Sequence, residues 1–287
     1  MAGLVPGSFP ALVARAFEEL DRNQSIFALP ARKFVLDGRK HDTSVLIHRR
    51  RAEAPLGPSA GPHTQMAQNI VLAWLAGARV MELKTVQRVD TLHIPRPCID
   101  ARTVGYNVEW SQELKLEQSL EEYVKASMLI DMLAYSFGIE RGCVFDLSVG
   151  YDLDGIRGER MRSFMQRMID AREVVDALRP QIPESFSYLR GIDFTTNIAS
   201  TVTLSTFHGC PVQEIEQIAD FLMSEMHLDC TIKLNPTLLG PAAVDAIVHD
   251  RLGFTEVHVP DDAYRKDPTW DQAAAIVRHL QARAREL

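Results

Sequence analysis

Residues 200–240 read STVTLSTFHGCPVQEIEQIADFLMSEMHLDCTIKLNPTLLG, and this stretch decides the fold. It opens on a β-branched run, Ser200–Thr206, and turns through a loop ending in Pro211, a residue suited to the first turn of a helix. An amphipathic helical pattern covers Val212–Met226, and a second β-rich run, Cys230–Leu234, leads into another Pro/Gly loop. Strand, helix and strand in succession make a βα unit, and its crossover helix returns the chain so that the two strands lie parallel.

The same rhythm extends in both directions. Strands are predicted at Ala54–Gly57, Arg79–Lys84 and Cys143–Ser148 before this unit, and at Glu256–Val259 after it. Helices are predicted at Thr64–Leu75, Leu116–Phe137, Met161–Leu178, Ala242–Arg251 and Trp270–Ala284. Residues 87–110 and 179–197 carry Pro, Gly and aromatic residues without a period and read as long loops. The first fifty residues differ: an amphipathic helix around Ala11–Asp21, then runs at Lys33–Leu36 and Ser44–His48 flanking DGRKHD, read as a hairpin. The expectation is an α/β fold with residues 1–53 as a helix-and-hairpin extension and residues 54–287 as a (β/α) barrel portion with sequential strand order. Six strand signals against the eight of a full barrel make that portion incomplete, with the C-terminal strands missing.

Composition narrows the function. Thirty-one basic against 38 acidic side chains give a net charge of −7, and the one dense basic run, Lys40–Arg51, is broken by Asp42, so nucleic acid is not an expected partner. The apolar stretches Ile70–Leu83 and Met128–Ile139 are interrupted by Arg79, Glu82 and Asp131, so a membrane span is not expected. The N-terminus has no basic segment followed by an apolar one, and the four cysteines, Cys98, Cys143, Cys210 and Cys230, are widely spaced. A reducing cytoplasm fits, and neither a disulfide framework nor an iron–sulphur cluster does. No His pair has metal-ligand spacing, so no metal site is assigned. There is no G-x-G-x-x-G or Walker A motif.

In parallel α/β folds the chemistry sits where strands end. GPSAG, residues 57–61, places small residues where backbone can approach something flat, or forms only a tight turn. Lys84 and Lys233 lie in apolar strand patterns, where an ammonium must reach a mouth, a carboxylate or an anion, or else snorkel to solvent. Cys210 precedes a helix start, whose dipole favours a thiolate. His63 and His208 also fall on strand-end loops.

Taken together, GPSAGPHTQMAQNIVLAWLAGARVMELKTV, SVGYDLDGI, TLSTFHGCPVQEIEQI and TIKLNPTLLG resemble the N-terminal barrel of the large iron–sulphur flavoproteins labelled selenate reductase subunits. That family is related to dihydropyrimidine dehydrogenase and dihydroorotate dehydrogenase. The resemblance implies a dihydroorotate-dehydrogenase-like TIM barrel with FMN at the C-terminal mouth. Ser59, Ala60 and Gly61 then correspond to the loop lying against the flavin, with Ser148 at the third strand end also lining the cofactor. Lys84 corresponds to the lysine at the pyrimidine edge, in a cofactor-binding and catalytic role, and Lys233 to a later lysine that stabilises reduced flavin. Cys210 matches the cysteine that protonates or deprotonates substrate carbon, although T-F-H-G-C-P replaces the family's N-L-S-C-P.

The resemblance therefore implies the N-terminal part of an FMN-dependent oxidoreductase acting on a small molecule. The glycine-rich phosphate loops, iron–sulphur clusters and NAD(P)H-binding module would come from a protein partner or a missing C-terminal segment. The rival reading is a non-catalytic assembly subunit or truncated product that binds no flavin.

Overall fold

The structure, a computed structural model, describes residues 4–36, 41–89, 112–206 and 210–287, with the backbone alone of 99–100 and 106–107. Helix α1 (Phe9–Asn23) is followed by two small antiparallel pairs, β1 (Ser25–Ile26) with β2 (Leu29–Pro30) and β3 (Val45–Ile47) with β4 (Arg50–Ala52). Next come α2 (Ala67–Leu75), β5 (Val80–Glu82) and a third antiparallel pair, β6 (Ile99–Asp100) with β7 (Tyr106–Asn107). The chain continues through α3 (Leu116–Phe137), β8 (Val144–Val149), α4 (Leu153–Arg157), α5 (Glu159–Ile169), α6 (Arg172–Leu178), β9 (Thr201–Ser205), α7 (Ile215–Ser224) and β10 (Asp229–Lys233). Helices α8 (Pro241–Asp245), α9 (Asp261–Lys266) and α10 (Trp270–Ala284) complete it.

Strands β5, β8, β9 and β10 form one parallel sheet in that order. Each strand neighbours the next of the four along the chain, so the sheet winds one way, as a barrel does, with no reversal of order. Side chains alternate across it. The outward row, Met81, Leu83, Phe145, Leu147, Val149, Val202 and Leu204, joins the main apolar core with Ile70 and Trp74 of α2, Leu120 and Val124 of α3, Phe164 of α5 and Phe221 of α7. The inward row is polar: Glu82, Lys84, Asp146, Ser148, Thr201, Thr203, Ser205 and Lys233. Helix α3 stops at Gly138, whose left-handed φ of 66° lets its N–H turn back to Tyr135 O. Helix α1 buries Phe9, Leu12, Val13, Ala16 and Phe17 in the same core.

Four of the six predicted strands are present, and two are corrected. Residues 54–57 form no strand, because Pro55 and Pro58 lack the N–H groups a ladder needs. The segment still runs beside β5, with Leu56 O accepting from Arg79 N and Val80 N and Pro58 O from Glu82 N. Residues 256–259 are an exposed turn and extended segment: Val257 N donates back to Phe254 O and, among the described residues, no strand lies beside them.

The predicted hairpin also re-pairs. Ala31–Lys33 is a 3₁₀ turn, and Ser44–His48 partners Arg50–Ala52 instead, through a two-residue turn with His48 at φ 51°. A short loop closes more readily than the longer connection. This hairpin sits at the N-terminal ends of β9 and β10: Arg50 donates to Ser200 Oγ and Asn197 Oδ1, both at 2.8 Å, and Arg49 pairs with Asp229 at 2.9 Å. The predicted helix 161–178 is two helices, broken where Ala171 N leaves the helix to donate to Thr196 O. Residues 90–98, with Cys98, and His208 lie outside the described residues.

Candidate active site

The C-terminal ends of the four parallel strands carry the candidate residues, and Glu82 at the end of β5 joins them. Its carboxylate accepts from Ala60 N at 2.9 Å through Oε2 and from Lys233 Nζ at 2.5 Å through Oε1. Glu82 and Lys233 lie on the two outermost strands of the sheet. In a flat sheet those strands would be roughly 14 Å apart with their side chains perpendicular to it. The ion pair therefore requires the strong inward curvature of a barrel wall, and it draws the first loop and the last strand to one place.

Lys84, two residues on and on the same face, is 2 % exposed. Tyr123 of α3 donates its O–H to Lys84 O at 3.2 Å, tying the lysine backbone to the long helix behind it. His63 lies close by. Burial, and then the Lys84 charge, push its pKa below the ordinary value, against a hydrogen bond with the Ser59 backbone that acts the other way. At neutral pH the imidazole is therefore uncharged. It folds over Gly61, where a Cβ would stand 2.7 Å from His63 Cε1, so a side chain there would push the imidazole aside.

Ser148 is buried, and its Oγ lies 2.8 Å from Thr85 Oγ1. Below it on β8, Asp146 accepts from Thr201 Oγ1 at 2.6 Å and from Thr203 Oγ1. Burial raises the Asp146 pKa, the two threonine bonds oppose that, and the Glu82 charge adds to it; Glu82 stands directly opposite in the β5–β8 register. At the far edge Thr206 donates to Lys233 O through both N and Oγ1.

Ser59–Gly61, Lys84, Ser148 and Lys233 thus fall on one rim, while Cys210 differs from expectation. It is 8 % exposed and packed in the main core. Burial, with the Glu214 charge, pushes its thiol up to about 12. The segment beyond opens as a 3₁₀ turn, Val212–Glu214, and becomes α-helical only at Ile215. The thiolate expected from a helix dipole is replaced by a neutral thiol beside a carboxylate. Its Sγ reaches Pro211 O, and Glu214 beside it accepts from Leu153 N on the segment after β8.

Two residues of the site were passed over in the sequence. Glu82 shares a face with Lys84 by the period-2 rule, and an acid beside a lysine in a strand-end ELK is a pairing signal. Asp146 interrupts an apolar strand and called for the same burial argument as Lys84. Among the described residues, no group of three or more His, Cys, Asp or Glu side chains could hold a metal ion.

Residues 27–287 match the family described as "Oxidoreductase YgfK, N-terminal TIM-barrel domain". The chain is 37 % identical over 303 residues to the curated "Putative oxidoreductase YgfK" of Escherichia coli K12, and to that of Escherichia coli O157:H7, over 98 % of this chain and 29 % of each relative. It therefore spans less than a third of the length of the curated relatives it matches. Among solved structures it is similar to DHODH of Eimeria tenella. The ligand-free form has a TM-score of 0.37 at 14 % identity, over 71 % of this chain and 65 % of that one. The complex with ferulenol has a TM-score of 0.40 at 17 % identity, over 80 % and 72 %.

Proposed function

Since the chain belongs to the family of YgfK N-terminal TIM-barrel oxidoreductase domains, we propose that it forms the cofactor-binding mouth of an FMN-dependent oxidoreductase acting on a small molecule. The observation that carries this reading is that Glu82 joins Lys233 to Ala60 of the small-residue loop while the charge of buried Lys84 acts on His63 beside that loop. The residues fit a flavin: Ser59 and Ala60 are small enough for a flat ring to approach the loop, and buried Lys84 supplies positive charge where little solvent screens it. Bound flavin would supply hydride transfer. Lys84 would hold negative charge at the ring edge, Ser148 would stay oriented through Thr85, and Lys233 would stand as a second cation. Within this reading a selenate-like oxyanion or a pyrimidine-type heterocycle suits a mouth lined by cations.

Further polypeptide is assigned the phosphate end and the electron supply. In support, β10 is an edge strand among the described residues. Its outward face opens on an apolar groove of about 260 Å³ lined by Ile232, Leu234, Met223, Val277 and Leu280. Ile247, Leu252, Phe254 and Val257 are exposed beyond it. Residues 1–53 are taken as an extension packed on the barrel. A cytoplasmic location goes with this reading, as Cys143, Cys210 and Cys230 are free thiols. No helix among the described residues is long and apolar enough to cross a membrane.

A non-catalytic assembly role is the second reading, favoured by two observations: Lys233 is already paired with Glu82, and Cys210 is a neutral thiol. FMN titration of the protein, followed by flavin fluorescence, separates the two. Saturable binding that weakens at least tenfold in Lys84→Ala supports the flavin reading. A wild-type protein that leaves flavin fluorescence unchanged both alone and when joined to the further polypeptide refutes it.

A further inference from the structure

We propose that Glu82 is a positioning residue that couples the occupancy of Lys233 to the placement of the Ser59–Gly61 loop. Its carboxylate has two duties in different parts of the chain. Oε2 holds Ala60 N, on the loop before α2, and Oε1 holds Lys233 Nζ, at the end of β10. Each duty fixes the side chain for the other, because one carboxylate plane must satisfy both donors.

The surroundings make that arrangement costly to leave. Glu82 is mostly buried, with its side chain 16 % exposed, whereas Lys233 is 43 % exposed and can turn toward the mouth. If it does, Glu82 keeps, among the described residues, only the Ala60 backbone as hydrogen-bond donor and faces Asp146 across the β5–β8 register, acid against acid. A ligand presenting negative charge to Lys233 therefore competes with Glu82, and its arrival loosens the carboxylate that anchors Ala60. Charge recognition at one edge of the mouth and loop position at the other become a single event. The competition with a flavin rests on the reading above; the coupling of Lys233 to Ala60 does not.

Amide exchange tests the coupling without any ligand. In Lys233→Met the Ala60 N–H, followed by NMR or on the peptide spanning residues 56–66, should exchange on the order of tenfold faster although Ala60 is hydrogen-bonded to Glu82 and not to Lys233, and Lys233→Arg should restore protection. If Glu82 only caps the loop, Lys233→Met leaves the rate within twofold of wild type, and the proposal falls. The competition is read with FMN as probe. Glu82→Gln still offers Ala60 an acceptor but frees the Lys233 charge, so FMN affinity should rise about tenfold, and the gain should vanish in Glu82→Gln/Lys233→Met. Wild-type FMN binding with no gain in Glu82→Gln overturns the competition. Absence of FMN binding in every variant counts against the flavin reading, and amide exchange then decides the coupling by itself.

Discussion

Gly57→Ala should show how the loop is seated on the sheet. Residues 56–58 run along β5 without being a strand, held by Leu56 O accepting from Arg79 N at 2.8 Å and Val80 N at 3.2 Å, and by Pro58 O accepting from Glu82 N at 3.2 Å. Between these acceptors a Cβ on residue 57 would lie 1.4 Å from Val80 O and 2.5 Å from Val80 C. Both atoms are backbone of β5, so the segment itself must lift away. Losing these three hydrogen bonds at about 0.5–1.5 kcal/mol each gives a destabilisation of roughly 1.5–4.5 kcal/mol. At about 2 °C per kcal/mol for a chain of this size, the melting temperature should fall by roughly 3–9 °C. Because Ala60 hangs from Glu82 three residues later, its amide should lose protection in the same variant. Gly138→Ala is the control: it has the same added methyl and a φ of 66°, but nothing lies within 4 Å of the new Cβ, so only about 1 kcal/mol of left-handed strain is expected. Urea unfolding of both variants, with exchange at residues 56–66, makes the comparison. A Gly57→Ala variant no less stable than Gly138→Ala, with Ala60 still protected, would refute the close seating of the loop on β5.

Cys210, with its thiol at about 12, should be ionised at pH 8 to only ~10⁻⁴ against roughly a quarter for a free cysteine, so iodoacetamide should alkylate it about 10³-fold more slowly; rapid labelling in the folded protein would show the burial to be wrong. Lys125 is 3 % exposed and donates to Glu122 Oε1, and Glu122, 1 % exposed, also holds Ala67 N at the start of α2. Lys125→Met should therefore cost ~3–5 kcal/mol, and Glu122→Gln/Lys125→Met clearly less, in urea unfolding; equal costs would deny the pairing. The Asp146 pKa is raised in the folded state, so its contribution to stability is full below the unfolded carboxylate value near ~4 and is lost as pH rises through the native value. Asp146→Asn should therefore gain on wild type in unfolding free energy as pH rises above about 4, and a difference constant with pH would contradict the shift.

The sequence by itself determined whatever depends on local period. Helices α3 and α10 run over Leu116–Phe137 and Trp270–Ala284, as their patterns require, because a 3.6-residue repeat and its caps are read within a few turns. The four parallel strands and the polar character of their ends followed from βα alternation, and with them the rim carrying Ser59–Gly61, Lys84, Ser148 and Lys233. Tertiary structure decided what meets across the sheet. That Lys233 reaches Glu82 depends on curvature summed over four strands, which no window of sequence contains. Cys210 follows the same logic: its position before a helical segment is local and suggested a thiolate, but the state of a thiol depends on the solvent and charges around it, and the core with Glu214 excludes the anion. The hairpin was misread for the related reason that Ser44–His48 has strand propensity with two possible partners, and propensity does not choose between them. A two-residue turn, and anchors supplied by Ser200, Asn197 and Asp229 far along the chain, made that choice.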